Sequence, residues 1–164
     1  DSIEHGTFLD DEALQLMKQK GTVLIPTLMA LQGLREHLAA DKGIPRQVAD
    51  KARAASSKAG EVVKRAAALG VTVGFGTDAA VYPHGRNAEK FARLVEAGLT
   101  PAQALRAATS IDAKLLGLEA QIGTLEAGKR SDVVAVPGNP LQDIRAAEKV
   151  LFVMKAGEIV RQGP

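Results

Sequence analysis

The chain has 164 residues, 46% of them hydrophobic, no cysteine and a formal net charge of +2. A chain of this length buries roughly 70% of its unfolded surface, so a core can form without disulfides or a structural metal. The cysteine count excludes disulfides, thiolate metal sites and a cysteine nucleophile and is compatible with a reducing cytoplasm; the charge gives no reason to expect nucleic acid, and no run approaches the ~20 apolar residues of a membrane span.

Ser2-Ile3-Glu4-His5-Gly6-Thr7 reads as the end of a strand entering a loop. With Asp rather than Met at residue 1, the opening is expected to be cut from a longer chain. Asp10-Asp11-Glu12 suits the positive end of a helix. Leu14, Leu16 and Met17 give that helix an apolar side, and Gly21 closes it. Thr22-Val23-Leu24-Ile25-Pro26 is short, apolar and β-branched, the pattern of a buried parallel strand. A variable stretch from Thr27 to Gly43 holds a predicted short helix over Leu31–Leu38. Pro45 then opens the clearest helix, in which Val48, Ala52, Ala55, Ala59, Val62, Ala66 and Leu69 share one face. Lys51, Lys58 and Arg65 lie on a neighbouring face, readable as an anion-binding stripe or, more simply, as a solvated surface.

Gly70 closes that helix, and Val71-Thr72-Val73-Gly74-Phe75-Gly76 is a second buried strand running into Thr77-Asp78. The loop beyond contains Tyr82-Pro83-His84-Gly85. Helices are predicted over 87–97 and 100–108, the second opened by Thr100 as N-cap, Pro101 at the first position and Gln103 completing a capping box. Ser110 is expected to cap a short helix over Ile111–Leu116. From Gly123 the pattern changes to short strands at 132–136, 150–154 and 158–160, with a hairpin at Lys155-Ala156-Gly157-Glu158. Two successive strand–helix units with buried strands predict an α/β fold with a parallel sheet, most simply a segment of a barrel. Three strands cannot close a (β/α)₈ barrel, which takes about 250 residues, and the open edges of a partial one need covering.

His5 and Asp78 are the strongest chemical candidates. Each follows a predicted strand directly, at the edge where parallel α/β folds bind ligands. An imidazole nitrogen and a carboxylate are ligand types for Zn²⁺ or a similar divalent ion, although a catalytic zinc commonly takes three protein ligands. The plainer alternative makes His5 a hydrogen-bonded turn residue and Asp78 a cap. His84, on the loop after Asp78, either touches substrate or is solvated; Tyr82 either packs under the loop or donates to a substrate carboxylate. Asn87 is expected to cap the next helix.

Ile3-Glu4-His5-Gly6-Thr7, Gly74-Phe75-Gly76-Thr77-Asp78, the run from Ala97 to Thr109 and the run from Ile122 to Val134 together resemble the amidohydrolase superfamily. The branch is similar to that of imidazolonepropionase and the Xaa-Pro dipeptidase-like carboxypeptidases; the Val81-Tyr82-Pro83-His84-Gly85 loop favours the dipeptidase-like group. The resemblance covers essentially the whole chain. It implies a partial (β/α)₈ metal-dependent hydrolase barrel in residues 1–121, running from the end of strand six to strand eight, with Thr22–Pro26 as strand seven. Residues 122–164 would be C-terminal strands of a small composite β-sandwich. His5 would be the metal-binding histidine after strand six, and Asp78 the aspartate after strand eight that binds metal and shuttles a proton to the leaving group. The cofactor implied is one or two divalent ions, zinc above all, and the substrate a small amide, an Xaa-Pro dipeptide or a cyclic amide.

One departure is large. The family's first strand carries a His-x-His pair, whereas the histidines here are His5, His37 and His84, far apart. The bridging lysine of strand four and the histidine of strand five would precede residue 1. The chain is therefore expected to be catalytically silent alone, as a C-terminal portion of an amidohydrolase. Alternatively it is half of a split enzyme completed by a chain bringing the missing N-terminal barrel half, or a non-catalytic homo-oligomeric binding module.

Overall fold

The protein is described by a computed structural model over residues 1–40 and 45–163. The predicted order is present: β1 (Ser2–Glu4), α1 (Asp11–Lys20), β2 (Val23–Ile25), α2 (Leu28–Ala39), α3 (Arg46–Leu69), α4 (Glu89–Glu96), α5 (Pro101–Arg106), α6 (Asp112–Leu115), β3 (Val133–Ala135), β4 (Phe152–Lys155) and β5 (Glu158–Gln162). The Gly43 end of the variable stretch lies outside the described residues. No described helix is long and apolar enough to cross a membrane.

β1 and β2 pair in parallel, Ile3 opposite Leu24. The expected strand at Val71–Gly76 joins them more sparingly, through a parallel bridge between Leu24 and Val73. Leu24 N donates to Thr72 O and Gly74 N to Leu24 O, each at 2.9 Å. The next donor in this alternation falls at residue 26, a proline with no N–H, so the ladder stops there. Leu24 and Val73 face the helices and join Leu14, Met17, Val62, Val63, Ala66 and Leu94 in one core. On the other face Ile25 lies over Gly74 and Gly76: a Cβ on either glycine would come within 2.4 Å of Ile25 side-chain carbons.

Local signals explain the helix ends. Asp10 caps α1 by accepting from Ala13 N, and Gly21 ends it at φ 67°. Thr100 and Gln103 form the predicted capping box on α5. The three-stranded antiparallel sheet has the order β3-β4-β5, and Ala156 and Gly157, both at positive φ, make the tight turn between β4 and β5. The Asp132 carboxylate accepts from Ala156 N at 2.7 Å, tying that turn back to the start of β3.

Four expectations are corrected. Val48 is 48% exposed and Ala49 is buried instead, so the buried face of α3 is rotated by one residue at its first turns. Leu16 is likewise exposed, leaving Leu14 and Met17 as the core contacts of α1. Ser110 caps nothing: α5 continues through a wider π-helical turn, Ala107–Ile111, into α6, with Thr109 Oγ1 donating back to Leu105 O. Lys51, Lys58 and Arg65 do not act as one stripe. Lys58 stands over the Phe8 ring and Arg65 is paired with Asp11.

Gly76→Ala is expected to cost about 1–3 kcal/mol, because the clashing Cγ2 of Ile25 sits on the stem of a β-branched side chain and cannot swing away. Urea unfolding of the variant beside the parent checks it.

Candidate functional site

Because β1, β2 and the Val71–Gly76 segment run in parallel, His5 and Asp78 emerge at the same, C-terminal edge. β2 lies between the two segments that end at them. Both side chains are exposed at that edge.

Both also adopt left-handed backbone conformations, His5 at φ 63° and Asp78 at φ 52°. Among the described residues only Ala80 and Ala156 share this outside glycine, and Ala156 is explained by its hairpin. Left-handed backbone at a non-glycine residue costs of order 1–2 kcal/mol, somewhat less for His and Asp, and such strain gathers at functional sites. Here Gly6 continues the reversal after His5 at φ 60°, packed close against Leu24 and Leu9.

His5 is held at both ends of its residue. Its backbone N donates to Ile25 O at 2.9 Å, continuing the β1–β2 ladder by one bond. Its Nδ1 lies 2.6 Å from the hydroxyl of Thr27, itself buried just past β2. With Nδ1 engaged, Nε2 is the nitrogen left for a ligand, an arrangement typical of metal-binding histidines. The donor types thus fit two ligands of a divalent ion. Among the described residues no group of three or more His, Cys, Asp or Glu is gathered closely enough to hold one.

The loop from Thr77 to Ala88 carries Asp78, Tyr82 and His84. His84 is exposed. Tyr82 is buried, 3% exposed, and its hydroxyl donates to Asn87 Oδ1 at 3.0 Å. Tyr82 therefore lies under the loop, while Asn87 receives the phenol; the cap position of α4 belongs to Ala88, whose side chain caps nothing. α2 approaches closely here, since a Cβ on Gly33 would meet Tyr82 Cβ at 2.8 Å and Val81 O at 2.9 Å. Arg86 completes the anchor: its guanidinium donates to both carboxylate oxygens of Glu36 on α2 and both of Glu89 on α4, at 2.7–2.9 Å. That hydrogen bonding, with help from Gln32, holds the Glu36 carboxyl down at about 2.

Two residues with no clear sequence signal complete the region. Lys90 on α4 is 0% exposed, and its Nζ donates to Pro26 O and Gly76 O while standing 4.9 Å from the Phe75 ring centre. Burial pushes its ammonium down to about 7, opposed by the charges of Asp112 and Glu4. Asp112, at the start of α6, accepts from Phe75 N through both oxygens at 3.1 and 3.2 Å, occupying the open edge of the Val71–Gly76 segment. Burial raises the Asp112 carboxyl, against the Phe75 N–H and Lys90, which lower it. A hint for Lys90 existed in its spacing four residues before Leu94, on the buried face of α4. A separate open cavity of about 300 Å³ between α2, α3 and α4 is lined by Arg35, Lys64 and Arg93 and by none of the four candidate residues.

The amidohydrolase family profile matches residues 1–160. Ochratoxinase of Aspergillus niger is 32% identical over 169 residues, covering 99% of this chain and 34% of that protein. Among solved structures, a Xaa-Pro dipeptidase with bound methionine in its active site superposes with a TM-score of 0.92 at 40% identity, covering 98% of this chain and 40% of that one. A prolidase complexed with N-methylphosphonate-L-proline gives 0.86 at 31% identity, covering 98% of this chain and 40% of that one. The chain thus spans about a third of the length of the curated relative it matches.

Two outcomes are expected from these geometries. Asp78→Gly should unfold at higher denaturant than Asp78→Ala by about 1 kcal/mol, since only glycine enters φ 52° without strain. Separately, Glu36 has a lower pKa folded than unfolded, so its contribution is complete above its ordinary value of 4.5 and is lost as pH falls toward about 2. Both partners are partly exposed, so about 0.5–1 kcal/mol is expected. The stability gap between the parent and Glu36→Gln, measured by urea unfolding, should be full at pH 6 and shrink steadily as pH falls from 4.5 toward about 2.

Proposed function

Since the chain belongs to the amidohydrolase family, we propose that it is the C-terminal portion of a metal-dependent hydrolase of amide bonds. We assign residues 1–121 to the hydrolase barrel, from the end of strand six through strand eight, and residues 122–164 to its composite β-sandwich. The observation that carries the reading is the pair His5 and Asp78, both left-handed and exposed at one edge of a parallel sheet. The likeness to a Xaa-Pro dipeptidase and a prolidase supports Xaa-Pro dipeptides as the substrate class.

In this reading His5 holds a divalent ion, zinc by the character of its donors, through Nε2, while Thr27 fixes the imidazole through Nδ1. When bound, the ion supplies Lewis acidity toward a water and the scissile carbonyl. Asp78 would be a further ligand of that ion, and its carboxylate would take the proton of the attacking water. It then passes that proton to the departing nitrogen, as general base and then general acid. His84 reaches substrate from the loop, and Tyr82 keeps that loop in place from beneath. The remaining ligands come from polypeptide outside these residues, which makes the 164-residue chain inactive by itself.

In a polypeptide that completes the length of the structural neighbours, Asp78→Ala is expected to lower kcat for Xaa-Pro hydrolysis by about 10²–10⁴-fold. The 164-residue chain alone should release no proline. Unchanged turnover in Asp78→Ala, or a parent polypeptide that cleaves no amide at all, would overturn the reading.

A further inference from the structure

Parallel pairing between β2 and the Val71–Gly76 segment ends where Pro26 offers no N–H. The carbonyls of Pro26 and Gly76 lie just past that interruption, and a buried carbonyl without a donor costs about 1–3 kcal/mol. Lys90 reaches both from α4 with the same ammonium. An ammonium has three N–H groups. Two go to these carbonyls, while the Nζ stands 4.9 Å from the Phe75 ring centre. Lys90 thus cross-links the two strand ends.

What it links is specific. Pro26 immediately precedes Thr27, whose hydroxyl engages His5 Nδ1. Gly76 lies two residues before Asp78. Burying a charge is costly, several kcal/mol per ion even after relaxation, and an apolar side chain at residue 90 would continue the Ala92–Leu94 face without that cost. Burial pushes the Lys90 ammonium down to about 7, and the Asp112 and Glu4 carboxylates offset that only in part.

We propose that Lys90 is a positioning residue of the hydrolytic site: its ammonium holds the end of β2 to the end of the Val71–Gly76 segment, and so sets Thr27 with His5 against Asp78. The proposal rests on the reading of His5 and Asp78 as metal ligands, so its test uses one measurement that needs a metal and one that does not.

The metal-free measurement is the ¹⁵N spectrum of the His5 ring in the 164-residue chain. In the parent, the Thr27 contact selects one tautomer; Lys90→Met, similar in length but without donors, should mix the two. The second measurement titrates Co²⁺ alone into the polypeptide that completes the length of the structural neighbours, read at the His5 ring nitrogens and the Asp78 amide, and should give about 10–100-fold weaker binding in Lys90→Met, the usual cost of losing a ligand's supporting contact. Rescue is available because the chain contains no cysteine. Lys90→Cys, alkylated with 2-bromoethylamine in denaturant and refolded, regains an ammonium of nearly the same reach and should restore the parent's tautomer. If Lys90→Met fails to fold, Lys90→Gln, whose amide still reaches one carbonyl, carries the same comparison. A folded variant with the parent's tautomer and Co²⁺ affinity overturns the proposal. A parent that ignores Co²⁺ while Lys90→Met still mixes the tautomers instead sinks the metal reading and leaves the cross-link standing.

Discussion

β2 is three residues long and every other element at the candidate site takes its position from it. Its Leu24 backbone pairs with β1 on one side and with the Val71–Gly76 segment on the other, while its side chain is fully buried under α1, α3 and α4. Its Ile25 side chain covers the opposite face so closely that residues 74 and 76 must be glycine. Its successor, Pro26, ends the pairing, and beyond it the carbonyls of Pro26 and Gly76 both accept from the buried Lys90 ammonium.

Strain and anchoring divide the labour at the edge. The two candidate ligands occupy left-handed conformations that an isolated peptide would leave, and each is restrained by contacts from elsewhere in the chain. His5 is restrained through Ile25 and Thr27. The Asp78 loop is restrained through Tyr82, Arg86 and, at its base, Lys90. This is the pattern of a site whose reactive groups are placed by rigid neighbours and stay exposed themselves. The chain belongs to the amidohydrolase family and spans roughly one third of the matched relative's length; in the proposed reading, residues outside these 164 complete the ligand set begun by His5 and Asp78.

Much of this was legible from residues alone, where the physics is local. Caps at Asp10 and Thr100, glycine stops at Gly21 and Gly70, and the tight turn at Ala156-Gly157 each depend on a few consecutive residues, and each is where the pattern put it. Continuous apolar runs marked β2 and the Val71–Gly76 segment, and their junctions with loops marked His5 and Asp78. The errors share a cause. Val48 and Leu16 satisfy the helical period yet face water, because periodicity fixes a stripe only to within a residue or so and the neighbouring helices choose its centre. Ser110 has the chemistry of a cap, but a helix that can widen by one residue need not stop.

Sequence by itself therefore determined the order of elements, the ends with local caps or glycine stops, and the two residues at the strand edge, since these follow from backbone propensity and spacing along the chain. Only the tertiary structure decided that Lys90 is buried against Pro26 and Gly76, that Asp112 occupies the edge at Phe75, and that Tyr82 turns under its loop toward Asn87. Lys90 and Asp112 join groups 14 to 64 residues apart, and Tyr82 is fixed by its packing against α2 at Gly33. A charged or polar side chain enters such a place because unpaired carbonyls and amides there cost more than its own desolvation, and that balance exists only after the chain has folded.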